Sequence, residues 1–178
     1  MAKRIAIAIL LALSVFCVAN EPPAAAVLAK AQAQAKAEKK KVMVIFHASW
    51  CGWCKRLDTF LADPEMGKLM KDNYVLVHLD VLESEGKKNL ENEGGLGVMQ
   101  QFQGENAGLP FTAVTDASGK MLINSNRTAK DPKTNIGYPA APEEIAHFMG
   151  ILKTTAPRLS DADRAKIETW LKEHAPKG

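Results

Sequence analysis

Residues 46–55, with the sequence FHASWCGWCK, decide the fold of this chain. Two residues separate Cys51 from Cys54, so the two side chains can close a small disulfide. An uninterrupted apolar run at residues 42–46 precedes them, as expected of a buried parallel strand. A helical pattern follows, with apolar residues that share one face: Leu57, Phe60 and Leu61. The cysteine pair therefore lies where a buried strand gives way to a helix.

This position suits redox chemistry. A sulfur at the N-terminus of a helix meets unpaired N–H groups and the positive end of the helix dipole, which favour the thiolate. We expect Cys51 to be the exposed nucleophile that attacks a substrate disulfide. Cys54, one turn into the helix, would resolve the resulting mixed disulfide. Lys55 and Arg56 add positive charge nearby.

Two other interpretations of the cysteine pair stay open. Structural zinc needs four ligands, but the chain has no second cysteine pair and its four histidines are scattered along the sequence. A purely structural disulfide is possible, although so tight a loop constrains little chain. The sequence favours a redox-active pair, and it predicts neither a metal nor an organic cofactor.

Composition places the chain among globular proteins. It has 178 residues, of which 47% are hydrophobic and 24% charged, with a net charge of +3. This length suits one compact domain. No basic run is longer than the three lysines at 39–41, so nucleic acid is not an expected partner.

The first nineteen residues have the pattern of a secretory signal peptide. A basic start at residues 1–4 is followed by an uncharged apolar run at 5–18 and by small residues around Ala19. We expect a signal peptide over 1–19 with cleavage after Ala19, or second best within 24–26. Cleavage would remove Cys17 and deliver the chain to the periplasm or the exterior, where disulfides are permitted. The apolar run is short for a spanning helix, and an uncleaved membrane anchor is the alternative.

The remaining pattern alternates strands and helices. A strand, a helix and a second strand in this order predict a right-handed βαβ unit. Further strands are predicted at 75–81, 110–114 and 121–123, helices at 24–40, 64–70, 98–102, 142–152 and 160–174, and a long polar loop at 124–142. We divide the chain into a helical segment at 20–41, a domain at 42–155 and a C-terminal helix at 156–178.

The motif at 46–55, the βαβ order and the tripeptide Gly-Leu-Pro at 108–110 resemble the thioredoxin superfamily over about residues 39–152. Within it, the chain is similar to exported thioredoxin-like proteins related to the periplasmic C-terminal domain of DsbD. The resemblance implies an α/β thioredoxin fold. A central mixed β-sheet of four or five strands would be flanked by helices, with extra N-terminal and C-terminal helices.

The resemblance also assigns roles around a redox-active Cys51–Cys54 disulfide. Pro110 would be cis and would face the disulfide, and the backbone of Leu109 would bind an extended substrate segment. Trp50 matches a common family tryptophan and would provide structural packing for the site. Gly52 and Trp53 lie between the cysteines, and we expect Trp53 to be exposed and to contact a partner.

Three departures from the family pattern bear on mechanism. The buried aspartate that usually precedes the first cysteine by six residues is Ile45 here, and its lysine partner is Leu76. Because both are apolar, neither leaves an unpaired buried charge. Deprotonation of Cys54 must then use water or another group, for which His47 is a candidate. The Gly-Trp pair between the cysteines supplies no imidazolium, which favours a reductase or exchanger over a strong oxidase.

Together these features predict an exported thiol–disulfide oxidoreductase that acts on disulfide- or thiol-bearing proteins. A redox-recycling partner protein is required, because two cysteines hold only one pair of electrons. We expect membrane association only through an uncleaved signal. The alternative is a binding module with little turnover, in which the loop at 124–142 and the Gly-rich stretch before Pro110 form the surface.

Overall fold

A four-stranded mixed sheet forms the centre of the computed structural model, which describes residues 21–176. The strands are β1 (Lys41–His47), β2 (Tyr74–Asp80), β3 (Phe111–Thr115) and β4 (Met121–Asn124), in the order β2-β1-β3-β4. β1 and β2 are parallel, whereas β3 is antiparallel to both β1 and β4. The predicted mixed sheet is confirmed. The predicted signal peptide at 1–19, with its cleavage site after Ala19, lies outside the described residues.

Six α-helices surround the sheet within the described residues: α1 (Ala24–Glu38), α2 (Gly52–Ala62), α3 (Pro64–Asn73), α4 (Gly95–Gln101), α5 (Pro142–Thr155) and α6 (Asp161–Glu173). Each corresponds to a predicted helix. Two short 3₁₀ turns were not predicted: Glu85–Leu90 and Pro132–Thr134. They lie in polar segments without hydrophobic periodicity, which is the main sequence signal for helices.

The break between α2 and α3 follows from two residues. Oδ1 of Asp63 accepts hydrogen bonds from the backbone N–H groups of Glu65 and Met66, both at 2.9 Å, and so caps α3. Pro64 occupies the first turn, where its missing N–H costs nothing. The second short helix predicted to begin at Pro64 is therefore confirmed.

Two hydrophobic cores lie on opposite faces of the sheet. Alternate residues of β1 point to opposite sides, so that Ile45 joins the core under α2, α3, α5 and α6, while Phe46 joins the one under α1. Burial on both faces explains why β1 is continuously apolar. Leu76 packs against the same core as Ile45, so the two positions that usually carry a charged pair are filled by apolar side chains here.

The C-terminal helix packs onto the main core. Ile167 and Leu171 of α6 are fully buried, and the ring of Trp170 meets that of Phe60 in α2 edge-on at 5.2 Å. α6 therefore covers the helical layer that carries the cysteine pair.

The segment after β4 is more ordered than its polar composition suggests. A backbone bridge pairs Asn126 with Asn135, and the side chains of Asn124, Ser125 and Asn126 are buried. The predicted loop at 124–142 is thus folded inward through its polar residues, which bond to neighbouring backbone. None of the helices within 21–176 is long and apolar enough to cross a membrane.

Candidate active site

The cysteine pair lies outside the carboxyl ends of the parallel strands β1 and β2, a common position for sites in open α/β sheets. Cys51 is the N-cap of α2, and its Sγ accepts a hydrogen bond from the backbone N–H of Cys54 at 3.0 Å. The two sulfurs form a disulfide, with the Cα atoms 5.3 Å apart. The predicted disulfide at a helix N-terminus is confirmed.

The expectation that Cys51 is exposed is wrong for this disulfide form. Cys51 is only 3% exposed and Cys54 only 2%. Ala48, from the loop before the pair, and Leu109, from the loop before β3, pack against the two cysteines. A substrate that reaches Cys51 must therefore displace part of this cover.

Two tryptophans flank the disulfide on the surface. Trp50 is 58% exposed, and its indole N–H donates a hydrogen bond to the carbonyl of Leu82 at 2.8 Å. This bond holds the ring against the surface loop that follows β2. The role of Trp50 as structural packing for the site stays a prediction. Trp53 is 48% exposed, as predicted. Its ring stacks on Tyr138 at 6.3 Å and carries the Arg56 guanidinium 5.5 Å from its centroid.

The loop before β3 meets the disulfide through Leu109. The Leu109–Pro110 peptide bond is cis, as the resemblance implies. Pro110 is buried and Leu109 is partly buried. Beside them lies a groove of about 380 Å³, whose walls are the loop at 108–109, the segment at 132–138 and the ring of Trp53.

A buried carboxylate, which the sequence did not single out, fixes the loop in front of the cysteines. Glu83 is 3% exposed. Its Oε1 accepts a hydrogen bond from the backbone N–H of Ser49 at 2.5 Å, and its Oε2 accepts one from the Ser49 hydroxyl at 2.9 Å. The Lys87 ammonium donates to the same hydroxyl at 3.2 Å. Residues 49 and 83 are far apart in the sequence, and no motif or periodicity marks Glu83.

The electrostatics of Glu83 follow from these bonds. Burial by itself raises the pKa of a carboxyl group. The two hydrogen bonds from Ser49 and the positive charge of Lys87 outweigh burial, and the pKa of Glu83 lies below its ordinary value. The group is therefore ionised at neutral pH.

His47, the candidate for deprotonating Cys54, lies among other titratable groups. Its Nε2 is 3.4 Å from Oδ1 of Asp80, and its ring centroid is 4.9 Å from that of His78. His78 is 3.1 Å from Asp58. Burial and the neighbouring His47 lower the pKa of His78, and burial raises the pKa of Asp80. The role of His47 towards Cys54 stays a prediction.

Within residues 21–176, no three His, Cys, Asp or Glu side chains lie close enough together to hold a metal ion. The site described above combines one disulfide, two exposed indoles, a buried carboxylate, a peptide loop and the titratable groups around His47.

The family model described as thioredoxin-like matches residues 24–117, which is just over half of the chain. The protein belongs to the thioredoxin-like family. The matched range includes β1, the cysteine pair, β2 and β3. These are the elements that build the site of this thioredoxin-like protein.

One solved structure supports the fold, and two others are reported with it as similar chains. A disulphide isomerase from Xylella fastidiosa Temecula1 is 21% identical, covers 92% of this chain and 98% of its own, and gives a TM-score of 0.51. A DsbH oxidoreductase is 20% identical over 84% of this chain and 95% of its own, with a TM-score of 0.47. The oxidised C-terminal domain of DsbD from Neisseria meningitidis is 18% identical over 60% of this chain and 84% of its own, with a TM-score of 0.42. No curated protein matches the sequence.

The expected α/β thioredoxin fold is therefore confirmed, with its mixed sheet, flanking helices and added terminal helices. The chain is an oxidoreductase-like thioredoxin-fold protein that carries a Cys51–Cys54 disulfide.

Proposed function

We propose that the protein is an exported thiol–disulfide oxidoreductase that exchanges disulfides with protein substrates. The observation that carries this proposal is the Cys51–Cys54 disulfide at the N-terminus of α2, in contact with Leu109 of the cis-proline loop. A structural disulfide would need neither the helix terminus nor the loop.

The exchange takes place in two steps. In the dithiol form, the Cys51 thiolate attacks one sulfur of a substrate disulfide, a mixed disulfide forms, and the other substrate sulfur leaves as a thiolate. Cys54 then loses its proton and attacks Cys51, so that the Cys51–Cys54 bond forms and the second substrate thiolate is released. Two electrons pass to the substrate. A partner protein bearing a dithiol must reduce the pair again.

The helix terminus supports the first step. The backbone N–H of Cys54 donates to the Cys51 sulfur at 3.0 Å in the disulfide form. The same donor, together with the helix dipole, would stabilise a thiolate at this sulfur and lower its pKa. Cys51 is accordingly the nucleophile, and Cys54 is the resolving residue.

The surface around the pair supports a polypeptide substrate. The backbone of Leu109 would pair with an extended segment, as in strand addition. Trp50 and Trp53 expose aromatic area on both sides of the disulfide, and aromatic residues are enriched where proteins meet. Gly52 leaves open space at the N-terminus of α2, since a Cβ there would meet no atom within 4 Å.

Location and direction rest on the sequence. The basic and apolar pattern at 1–19 supports export with cleavage after Ala19, to the periplasm or the exterior. The Gly-Trp pair between the cysteines supports a reductase or exchanger rather than a strong oxidase. We also propose that the thioredoxin-like domain spans residues 42–155, with helical segments at 20–41 and 156–178.

Replacement of one sulfur tests this function. With dithiothreitol as electron source, the wild-type protein should accelerate the reduction of insulin disulfides. The Cys51→Ser variant should not. The matched Cys54→Ser variant should accumulate a mixed disulfide through Cys51. Turnover that survives Cys51→Ser would refute the proposal, and partner binding without turnover would favour a binding module instead.

A further inference from the structure

One amide side chain joins the loop around Leu109 to the segment after β4. Nδ2 of Asn135 donates hydrogen bonds to the carbonyl oxygen of Gly108 at 2.8 Å and to that of Pro110 at 3.1 Å. These carbonyls belong to the residues immediately before and after Leu109. The amide therefore holds the chain on both sides of the residue that contacts the disulfide.

The other end of this amide is equally fixed. Oδ1 of Asn135 accepts hydrogen bonds from the Ser125 hydroxyl at 2.7 Å and from the backbone N–H of Gly137 at 3.2 Å. The Ser125 oxygen in turn accepts from the backbone N–H of Thr112 in β3 at 2.9 Å. An asparagine amide has two donor and two acceptor positions, and all four are used here. The orientation of the amide is thus fixed by the backbone of the two neighbouring loops and by Ser125, which is itself bonded to β3.

The peptide groups of Leu109 are left open by this arrangement. Among the hydrogen bonds of residues 21–176, none uses the backbone N–H or the carbonyl of Leu109. The carbonyls of Gly108 and Pro110 point to Asn135 instead. Leu109 lines the groove of about 380 Å³ beside the disulfide.

We propose that Asn135 is a positioning residue for substrate binding, which rests on the proposed function. By fixing the carbonyls on either side of Leu109, it holds the Leu109 peptide groups in place for an extended polypeptide. Binding and reduction of polypeptide disulfides therefore depend on Asn135. The reduction of small aromatic disulfides does not, because these molecules offer no backbone to pair with Leu109.

An isosteric substitution tests this proposal. Asn135→Asp keeps the shape of the side chain but replaces the donating NH₂ group by an oxygen that repels both carbonyls. With a peptide disulfide, we expect KM to rise roughly tenfold and kcat to stay within about twofold, the pattern of lost binding. With dithiobis(nitrobenzoate), the rate of the reduced protein should stay within about twofold of wild type. Asn89→Asp is the matched control, since it makes the same change at an exposed asparagine outside this groove.

Several results would overturn the role of Asn135. They are an unchanged KM for the peptide disulfide, an equal loss with both disulfides, or an equal effect of Asn89→Asp. If circular dichroism shows that Asn135→Asp is unfolded, Ser125→Ala provides the second variant. It removes one partner of the same amide without adding charge and should raise the peptide KM in the same direction by a smaller factor. A wild-type protein that reduces no disulfide would refute the proposed function itself, whereas an active wild type with unaffected variants would refute only this inference.

Discussion

The carboxylate of Glu83 connects the loop after β2 to the backbone two residues before Cys51. Both of its oxygens accept hydrogen bonds from Ser49, at 2.5 and 2.9 Å. The neighbouring Trp50 is tied to the same loop through the carbonyl of Leu82. The position of Cys51, the proposed nucleophile, therefore depends on single side-chain contacts that bridge distant parts of the sequence.

We predict that Glu83→Gln destabilises the protein by about 1–2 kcal/mol at pH 7, because a hydrogen bond to a charged group is lost. The pKa of Glu83 is lowered in the folded state, so this stabilisation is complete above its unfolded pKa of about 4.3. It is lost as the pH falls through the lower folded value. Urea unfolding at pH 7 and at about pH 3 should show a difference from wild type that shrinks in acid.

Glu85→Gln is the matched control, because Glu85 lies exposed on the same loop. It should leave the free energy of unfolding within about 0.5 kcal/mol of wild type at both pH values. Equal effects of the two substitutions at pH 7 would mean that the Ser49 contacts contribute no stability.

At the scale of elements, a buried hydrogen bond joins the start of β2 to the end of α5. The hydroxyls of Tyr74 and Thr155 are 2.6 Å apart. Thr155 donates its own proton to the carbonyl of Ile151 at 2.8 Å, so Tyr74 is the donor between the two hydroxyls. Burial raises the pKa of Tyr74 to about 12, although the bond to Thr155 acts in the opposite direction.

An alkaline titration followed by phenolate absorbance should therefore show a late step from Tyr74. A raised folded pKa means that the stability contributed by the neutral phenol is complete below about pH 10, the unfolded value. It is lost as the pH rises towards 12. Burial also raises the pKa of Tyr138, but by less. Tyr74→Phe should therefore remove the later of the two tyrosine steps and flatten this loss, whereas Tyr138→Phe should keep that step. A late step that survives Tyr74→Phe would contradict the assignment.

The sequence predicted elements well where one physical signal dominates. The apolar run of β1 reflects burial on both faces, and the cap at Asp63-Pro64 marks the start of α3. Prediction from the sequence failed where contacts between distant segments determine the position of a residue. Leu109 covers Cys51 from a loop more than fifty residues away, and the outward position of Trp50 depends on a carbonyl in another loop.

The same limit applies to the site as a whole. The Cys51–Cys54 disulfide could be predicted from the spacing of the two cysteines between a strand and a helix, since that context is local. Glu83 and Asn135 could not, because each is one polar residue in a polar segment. Their meaning arises only when folding places them against Ser49 and the Leu109 loop.

At the scale of the whole molecule, the sheet separates two hydrophobic cores. The cysteine pair lies beyond the carboxyl ends of β1 and β2. α6 completes the core on the side of α2, the helix that begins at Cys51. Although the proposed domain limit is at residue 155, this packing makes the last helix part of the support for the active site.

Ile167→Ala should accordingly reduce the free energy of unfolding by about 2–5 kcal/mol, the range for a large buried side chain cut to alanine. Ile167 is fully buried. Thr169→Ala, on the exposed face of the same helix, is the control and should change stability by less than about 0.5 kcal/mol. Thermal or urea unfolding provides the measurement. A loss below about 1 kcal/mol for Ile167→Ala would show that α6 is not an integral part of the core.

The central claim is that Cys51 and Cys54 form a redox-active pair and not a structural disulfide. Its most direct test is the reduction potential, measured by equilibrating the protein with dithiol–disulfide buffers and quantifying its free thiols. We predict a value between about −270 and −180 mV, the range of reducing and exchanging thioredoxin-fold proteins. A value near −120 mV would reverse the proposed direction, and one below about −300 mV, as in structural disulfides, would contradict the claim itself.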